Sequence, residues 1–238
     1  MKTVLITGAN KGIGFATAKS FMEKGYNIIL AGRNEERLKN ASSRLDGAPY
    51  VLWDVSDIHA AKGAIDTAHA YFGNIDIFVN NAGIVTDEDI THVDFLLKTE
   101  EAWDTTMNTN LKGLFFAIQA EARYMIEHNI QGHIVNVCSE MGVRAAQNAY
   151  CISKWGAVGM TRGLAKRLAR DGITVNGIAP GETATEILRQ KEGKRHAMNS
   201  PRGERAMPEE IAEAIVFLAQ SHNIIGEVLI SDGGRSLY

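Results

Sequence analysis

The stretch VLITGANKGIGFA, residues 4–16, passes from an apolar β-branched run through three glycines and back to apolar residues at helical spacing. A strand that turns sharply into a helix directs the free N–H groups and the positive end of the helix dipole at whatever lies above the turn. Glycine at positions 8, 12 and 14 lets a pyrophosphate approach that backbone. The stretch therefore predicts a dinucleotide cradle in an α/β fold. Its spacing, G-x-x-x-G-x-G, departs from the commoner G-x-G-x-x-G fingerprint, so a plain structural turn is the alternative at this point.

Apolar strand-like runs alternate with longer amphipathic segments along the chain. The runs that predict strands are 2–7, 26–32, 50–55, 75–80, 133–139, 173–180 and 227–231. The segments that predict helices lie near 12–24, 35–45, 57–72, 101–129, 148–170 and 208–220, with Asn34 and Asp57 as caps. This alternation predicts a doubly wound, seven-stranded parallel sheet with helices on both faces. The ligand crevice of such a sheet lies beyond the carboxyl ends of its strands, which makes the long segments without periodicity, 84–100 and 181–207, candidate walls of a site.

Composition limits the class of protein and of partner. The 238 residues are 45% hydrophobic, enough for one sizeable core, and no composition break divides them, so we expect a single domain over 1–238. The net charge of −3 gives no general attraction to nucleic acid or anionic membranes. Signal-peptide and membrane-spanning runs are lacking, the two cysteines form no CxxC pair, and the histidines are scattered. We therefore expect a cytoplasmic protein with no metal, nucleic acid or membrane partner.

The end of the second predicted strand bears on the choice of dinucleotide. A carboxylate that binds the ribose hydroxyls of NAD would lie about 20 residues beyond the glycine turn, but the sequence there, ILAGRN, offers Gly32 and Arg33. A guanidinium at that place can pair with a ribose 2′-phosphate, and Lys11 in the glycine turn adds a second cation. These residues predict a preference for NADP(H) over NAD(H). The alternative is that Arg33 is a solvated loop residue before a capped helix.

A series of short motifs resembles the short-chain dehydrogenase/reductase family, in the family's order and over essentially the whole chain. The motifs are TGANKGIG (7–14), DV (54–55), NNAG (80–83), Asn110, Ser139, YCISK (150–154) and PGETAT (180–185). The resemblance implies a single-domain Rossmann fold, a nicotinamide cofactor and a catalytic set of Asn110, Ser139, Tyr150 and Lys154. The cofactor-binding residues predicted by the glycine turn, Arg33 and the resemblance together are Gly8, Asn10, Lys11, Gly12, Ile13, Gly14, Arg33, Asp54, Val55, Asn81, Ala82, Gly83, Tyr150, Lys154, Pro180, Gly181, Thr183 and Thr185.

The predicted catalytic residues also make chemical sense by themselves. Tyr150 and Lys154 are four apart on a predicted helix, so they share one face, and an ammonium beside a phenol favours the phenolate and lowers the phenol pKa. Ser139 can hydrogen-bond a reacting carbonyl oxygen, and Asn110 can hold a water in a proton path behind Lys154. Tyr150 is then the general acid and base that accompanies hydride transfer. Alone, a Tyr and a Lys one turn apart are more often a solvated pair.

The sequence departs from the family pattern on the substrate side. Gly83 to Trp103 is longer than the resemblance leads us to expect, and Ser139 to Tyr150 is shorter. Glu140 and Arg144 stand where the family often has small or apolar residues. Segment 181–207 carries more basic than acidic residues, which weakly favours an anionic or carrier-bound substrate, the alternative being a solvated lid.

We therefore predict an NADP(H)-dependent reductase of a ketone, with a 3-oxoacyl thioester as one candidate substrate. The alternatives are an alcohol, sugar or polyol dehydrogenase working in the oxidative direction and a nucleotide-sensing protein without turnover. The resemblance further implies a homo-oligomer, a tetramer, built through helices 101–129 and 148–170 and the last helix and strand. The segment LKGLFFAIQAEARYMI (111–126) agrees, since it is apolar around more of its circumference than one buried stripe requires.

Overall fold

In the computed structural model, which describes residues 1–90, 95–185 and 200–237, seven strands form one parallel sheet in the order β3-β2-β1-β4-β5-β6-β7. The strands are β1 (Thr3–Thr7), β2 (Asn27–Gly32), β3 (Tyr50–Leu52), β4 (Ile77–Asn80), β5 (His133–Val137), β6 (Thr174–Pro180) and β7 (Val228–Ser231). The helices are α1 (Gly12–Glu23), α2 (Glu35–Ser43), α3 (Ala61–Phe72), α4 (Asp87–Ile90), α5 (Glu100–Met107), α6 (Leu114–Glu127), α7 (Ala149–Leu168) and α8 (Pro208–Gln220).

Helices cover both faces of the sheet, which confirms the doubly wound Rossmann fold. Along β1, Leu5 belongs to the core that α3, α6 and α7 cover, while its neighbours Val4 and Ile6 belong to the core under α1, α2 and α8. Successive strand side chains point to opposite faces, so a strand buried on both sides reads as one continuous apolar run. That is why the strands were recognisable in the sequence.

Several predicted boundaries are wrong by a few residues. Strand 50–55 ends at Leu52, and the helix predicted from 57 begins at Ala61 because Asp57 caps the preceding turn, accepting from the His59 and Ala60 amides at 3.1 and 3.3 Å. The helix predicted over 101–129 is α5 and α6 joined by a π-helix, Asn108–Gly113. Asn34 caps α2 as predicted, accepting from the Arg37 amide at 2.9 Å.

The two predicted loops are only partly described. Segment 84–100 contains the short α4 and a 3-10 turn at Phe95–Leu97, and its residues 91–94 lie outside the described ranges. In segment 181–207, residues 186–199 lie outside them, together with most of the charged residues that favoured an anionic substrate. Thr183 pairs with Ala206 in an isolated parallel bridge.

The strand order places the candidate site. β1 lies between β2 and β4, so the chain proceeds from β1 to one edge of the sheet and afterwards to the other. The crevice at such a reversal, beyond the carboxyl ends of the strands, is where ligands bind in open α/β sheets. The glycine turn follows β1 directly at this point. Among the helices of the described ranges, none has the length and hydropathy needed to cross a membrane.

Candidate active site

The glycine turn is held together by the end of the neighbouring strand. The Asn81 side-chain amide donates to the carbonyls of Thr7 at 2.9 Å and Gly8 at 3.2 Å. The Thr7 hydroxyl accepts from the Asn81 and Ala82 amides, both at 3.0 Å. Gly8 has φ of 65° and Gly12 of 55°, a region that favours glycine. A side chain at Gly14 would overlap the Gly8 carbonyl and the Asn81 amide, so this glycine permits the packing of α1 onto the turn.

A groove of about 400 Å³ runs over this turn toward the ends of β2 and β3. The predicted cofactor residues that line it are Gly8, Asn10, Lys11, Gly12, Ile13, Arg33, Asp54, Val55, Asn81, Ala82, Gly83 and Thr185. Gly14 does not; it lies under the turn and acts through packing. The groove has the backbone donors, the glycines and the cations that a dinucleotide requires, so the residues present fit this cofactor.

The adenosine end of the groove carries more positive charge than the sequence analysis recognised. Arg33 lies 3.9 Å from Asp54 across the groove, and both side chains are well exposed. Arg37, on the first turn of α2, lines the groove beside Lys11 and Arg33. Arg37 could have been predicted as a groove residue from the sequence, because it lies four residues beyond Arg33 in the first turn of a helix capped by Asn34.

A second cavity, of about 870 Å³, adjoins the groove and shares Ile13, Asn81, Gly83 and Thr185 with it. The remaining predicted site residues that line it are Ser139, Tyr150, Lys154, Pro180, Gly181 and Thr183. The structure thus brings the glycine turn, the serine and the tyrosine and lysine of α7 to one continuous space. These residues come from the carboxyl ends of four neighbouring strands and from one helix.

Lys154 and Asn110 are both buried close to Gly83. The Lys154 ammonium donates to the Val137 carbonyl at 3.0 Å. Asn110 lies in the π-helix, where its side chain accepts from the Ile84 amide and donates to the Ile84 carbonyl, both at 2.8 Å. A Cβ on Gly83 would lie 3.4 Å from Asn110 Oδ1 and 3.7 Å from Lys154 Nζ. Asn110 therefore fixes the segment that follows β4 next to the ammonium. A π-helical turn within an α-helix, such as the one that contains Asn110, is frequent at functional sites.

The pKa of Tyr150 differs from the sequence-based expectation. Burial raises the pKa of the phenol to about 12, although the hydrogen bond with Ser139 acts in the opposite direction. Burial lowers the pKa of Lys154. The ammonium lies 5.7 Å from the centre of the Tyr150 ring and donates to Val137. The prediction that the pKa of Tyr150 lies below its usual value is therefore wrong for this arrangement, because the cost of burying a phenolate outweighs the influences that lower the pKa.

The model of the short chain dehydrogenase family matches residues 2–196. The chain belongs to this family. It is 39% identical to the 3-oxoacyl-(acyl-carrier-protein) reductase of Thermotoga maritima over 98% of this chain and 97% of the relative. It is 34% identical to the gluconate 5-dehydrogenase of Gluconobacter oxydans over 97% of this chain and 93% of that relative. The structure of ElxO with bound NADPH superposes with a TM-score of 0.89 at 29% identity, covering 100% of this chain and 99% of that one.

Membership makes this short-chain dehydrogenase an oxidoreductase that acts on CH–OH or C=O groups with a nicotinamide cofactor. The motifs that resemble the family all contribute residues to the groove or the cavity, except Asn110, which is buried behind Ile84 and lines neither.

Proposed function

We propose that the protein reduces a ketone to a secondary alcohol with NADPH, with Tyr150 as the proton donor. The observation that carries this proposal is the position of Ser139, Tyr150 and Lys154 in one cavity that is continuous with the glycine groove. The dinucleotide supplies the hydride when it is bound. The test is NADPH consumption by the purified protein against a panel of ketones, followed in both reaction directions.

Tyr150 suits the role of acid in the reductive direction. With a pKa raised to about 12, the phenol keeps its proton at neutral pH and can donate it to a carbonyl oxygen. Ser139 and Tyr150 line the same cavity, so both hydroxyls can bind that same oxygen. As the proton leaves Tyr150, negative charge grows on the phenol oxygen. The buried Lys154 ammonium then stabilises this charge.

The proposed preference for NADPH rests on the cations of the groove. Arg33 and Arg37 line it together with Lys11, and Asp54 is the acidic residue nearby. Because Asp54 pairs with Arg33 at 3.9 Å and accepts from the Ser56 amide and hydroxyl, its charge is already engaged. A 2′-phosphate would meet guanidinium groups, which bind phosphate in pairs of hydrogen bonds. The NADPH in the structure of ElxO supports the same preference.

Substitution of Arg33 by Asp should weaken NADPH binding by about 1 to 3 kcal/mol, the scale of a charge-assisted hydrogen bond. NADH lacks the 2′-phosphate, so its affinity should change little and the preference should narrow or reverse. Fluorescence titration of both cofactors against wild type and Arg33→Asp measures this. Equal dissociation constants for the two cofactors in the wild type would contradict the assignment.

The relatives favour two substrate classes. The reductase from Thermotoga maritima supports a 3-oxoacyl thioester, whose carbonyl Tyr150 would protonate. The gluconate dehydrogenase supports the second candidate, oxidation of a sugar-derived or other alcohol in this same cavity. Kinetics in both directions at neutral pH separate them. We favour reduction because Tyr150, with a pKa raised to about 12, is protonated at neutral pH. It can donate this proton to a ketone, but must lose it before it can act as a base in alcohol oxidation.

We also propose that the protein is a homotetramer. Large apolar side chains are exposed on two pairs of elements of the described chain: Ile152 and Trp155 on α7, and Phe217 on α8 with Leu229 and Ile230 on β7. Trp155 is 48% exposed and Phe217 56%. Two separate self-complementary contacts lead to an even-numbered closed assembly. Light scattering at micromolar concentration should give a mass about four times the 26.0 kDa of the chain, whereas a monomeric mass would contradict the proposal.

A further inference from the structure

A chain of alternating ion pairs lies at the wall of the substrate cavity, and its members come from distant parts of the sequence. The carboxylate of Glu140 binds Arg235 through Oε1 at 2.7 Å and Arg144 through Oε2 at 3.3 Å. The carboxylate of Glu182 binds Arg235 through Oε1 at 3.0 Å and Arg205 through Oε2 at 2.9 Å. The order is therefore Arg144, Glu140, Arg235, Glu182, Arg205, with Arg235 in the middle.

The central members of this chain face the space where a substrate would react. Glu140, Glu182 and Arg235 line the same cavity as Ser139 and Tyr150. The side chain of Glu140 is 4% exposed and that of Arg235 is 14% exposed. Glu140 also follows Ser139 directly. The guanidinium of Arg235 is thus held at the wall of the cavity that also contains Tyr150, the proposed proton donor.

Two carboxylates of this chain of ion pairs stand against three guanidinium groups, and the Asp232 carboxylate acts on Glu140 as a further negative charge. Both carboxylate contacts of Arg235 are made by Nη1. Its Nε is buried and has no hydrogen-bond partner among the described residues. A buried donor without a partner is costly and requires an explanation, such as a ligand that completes it.

We propose that Arg235 binds a carboxylate carried by the substrate, so that the protein prefers keto acids over neutral ketones. The Nε and Nη2 edge of a guanidinium is the fork that accepts a carboxylate through two parallel hydrogen bonds. Glu140 and Glu182 hold that fork in position from the Nη1 side, which lowers the entropic cost of binding. One substrate carboxylate would give the unpartnered Nε donor of Arg235 its acceptor. This inference rests on the proposed carbonyl reduction.

Two other charged residues of the described chain line the cavity: Lys154 is a cation like Arg235, and Asp89 does not oppose this assignment. Asp89 lines the same cavity, but its carboxylate lies 3.8 Å from the Lys98 ammonium and accepts from the hydroxyls of Thr86 and Thr106 at 2.8 and 3.3 Å. Its charge is therefore compensated within its own segment and α5.

Levulinate and levulinamide form a matched pair, because the two ketones differ in the carboxylate alone. The wild type should reduce levulinate with a kcat/KM about 10- to 100-fold higher, the range of a charge-assisted interaction. Arg235→Gln should remove this preference. Arg235→Lys keeps the charge but lacks the paired donors of a guanidinium, so it should lose most of the preference for levulinate. This variant tests the inference if Arg235→Gln does not fold. Arg144→Gln is the control, since Arg144 binds the same Glu140 from outside the cavity lining, and it should retain the preference.

If Arg235 only holds the cavity wall together, Arg235→Gln should lower kcat/KM for both ketones equally, and that result would overturn the inference. Equal reduction of the two ketones by the wild type would overturn it as well. Calorimetric titration with levulinate and levulinamide gives an answer that does not require turnover. Tighter binding of levulinate that Arg235→Gln abolishes supports the inference, and equal binding overturns it. If no ketone is reduced at all, the proposed function fails while calorimetry still decides the role of Arg235.

Discussion

Substitution of Tyr150 by Phe should lower the turnover number for ketone reduction by at least about 100-fold, the range for loss of a general acid. The change removes one hydroxyl and leaves the aromatic ring, so the buried end of α7 and the cavity keep their shape. The dinucleotide groove is formed by other residues, and the NADPH dissociation constant should stay nearly the same. A loss in kcat without a loss in cofactor affinity identifies a group that acts in the transition state.

The matched control is Tyr71→Phe. The Tyr71 hydroxyl donates to the Tyr50 carbonyl at 3.2 Å on the surface of α3, away from the cavity. This variant should keep wild-type turnover. Retention of most activity by Tyr150→Phe would show that another group supplies the proton.

Substitution of Lys154 by Met should lower turnover by about 100-fold or more, the cost of removing a preorganised charge from a site that excludes water. The thioether chain fills much of the space of the lysine stem but leaves the Val137 carbonyl without its donor. A phenolate next to Met lacks the attraction of the ammonium, so the Tyr150 pKa should rise further. In the oxidative direction Tyr150 must first lose its proton, and the rate increases with pH. The pH profile for alcohol oxidation should therefore move to higher pH in Lys154→Met.

Steady-state rates of alcohol oxidation across the alkaline range measure this displacement. Lys166→Met, an exposed change near the end of the same helix, is the control and should leave the profile in place. An unchanged profile in Lys154→Met, even with reduced turnover, would mean that the lysine does not act on Tyr150.

The fold was predictable because its strands are buried on both faces and its turns carry distinctive residues. Val4, Leu5 and Ile6 each reach a core, and the Asn34 cap stands where its side chain indicated. The missed boundaries arise from local hydrogen bonding that periodicity does not report. The π-helix from Asn108, for example, has the same apolar pattern as an α-helix but adds a residue to the turn.

The catalytic candidates were predictable from motif order, and the fold brings Ser139, Tyr150 and Lys154 to one cavity. Their energetics were not predictable. The pKa of Tyr150 depends on how much of the phenol is buried, which a spacing of four residues does not encode. Arg235 was missed because its partners Glu140 and Glu182 are distant in the sequence and meet it only in the folded chain. The cytoplasmic location and the absence of nucleic acid, membrane and metal partners stay predictions.

Ketone reduction is tested most directly by a single turnover of the wild type, in which bound NADPH is oxidised when a ketone is added and one alcohol forms per NADPH. We expect rapid, ketone-dependent loss of the reduced nicotinamide absorbance, with NADH used less efficiently. A nucleotide-sensing protein would bind NADPH tightly and leave it unchanged with every ketone of the panel. That result would contradict the assignment of Tyr150 as a proton donor and of the cavity as an active site.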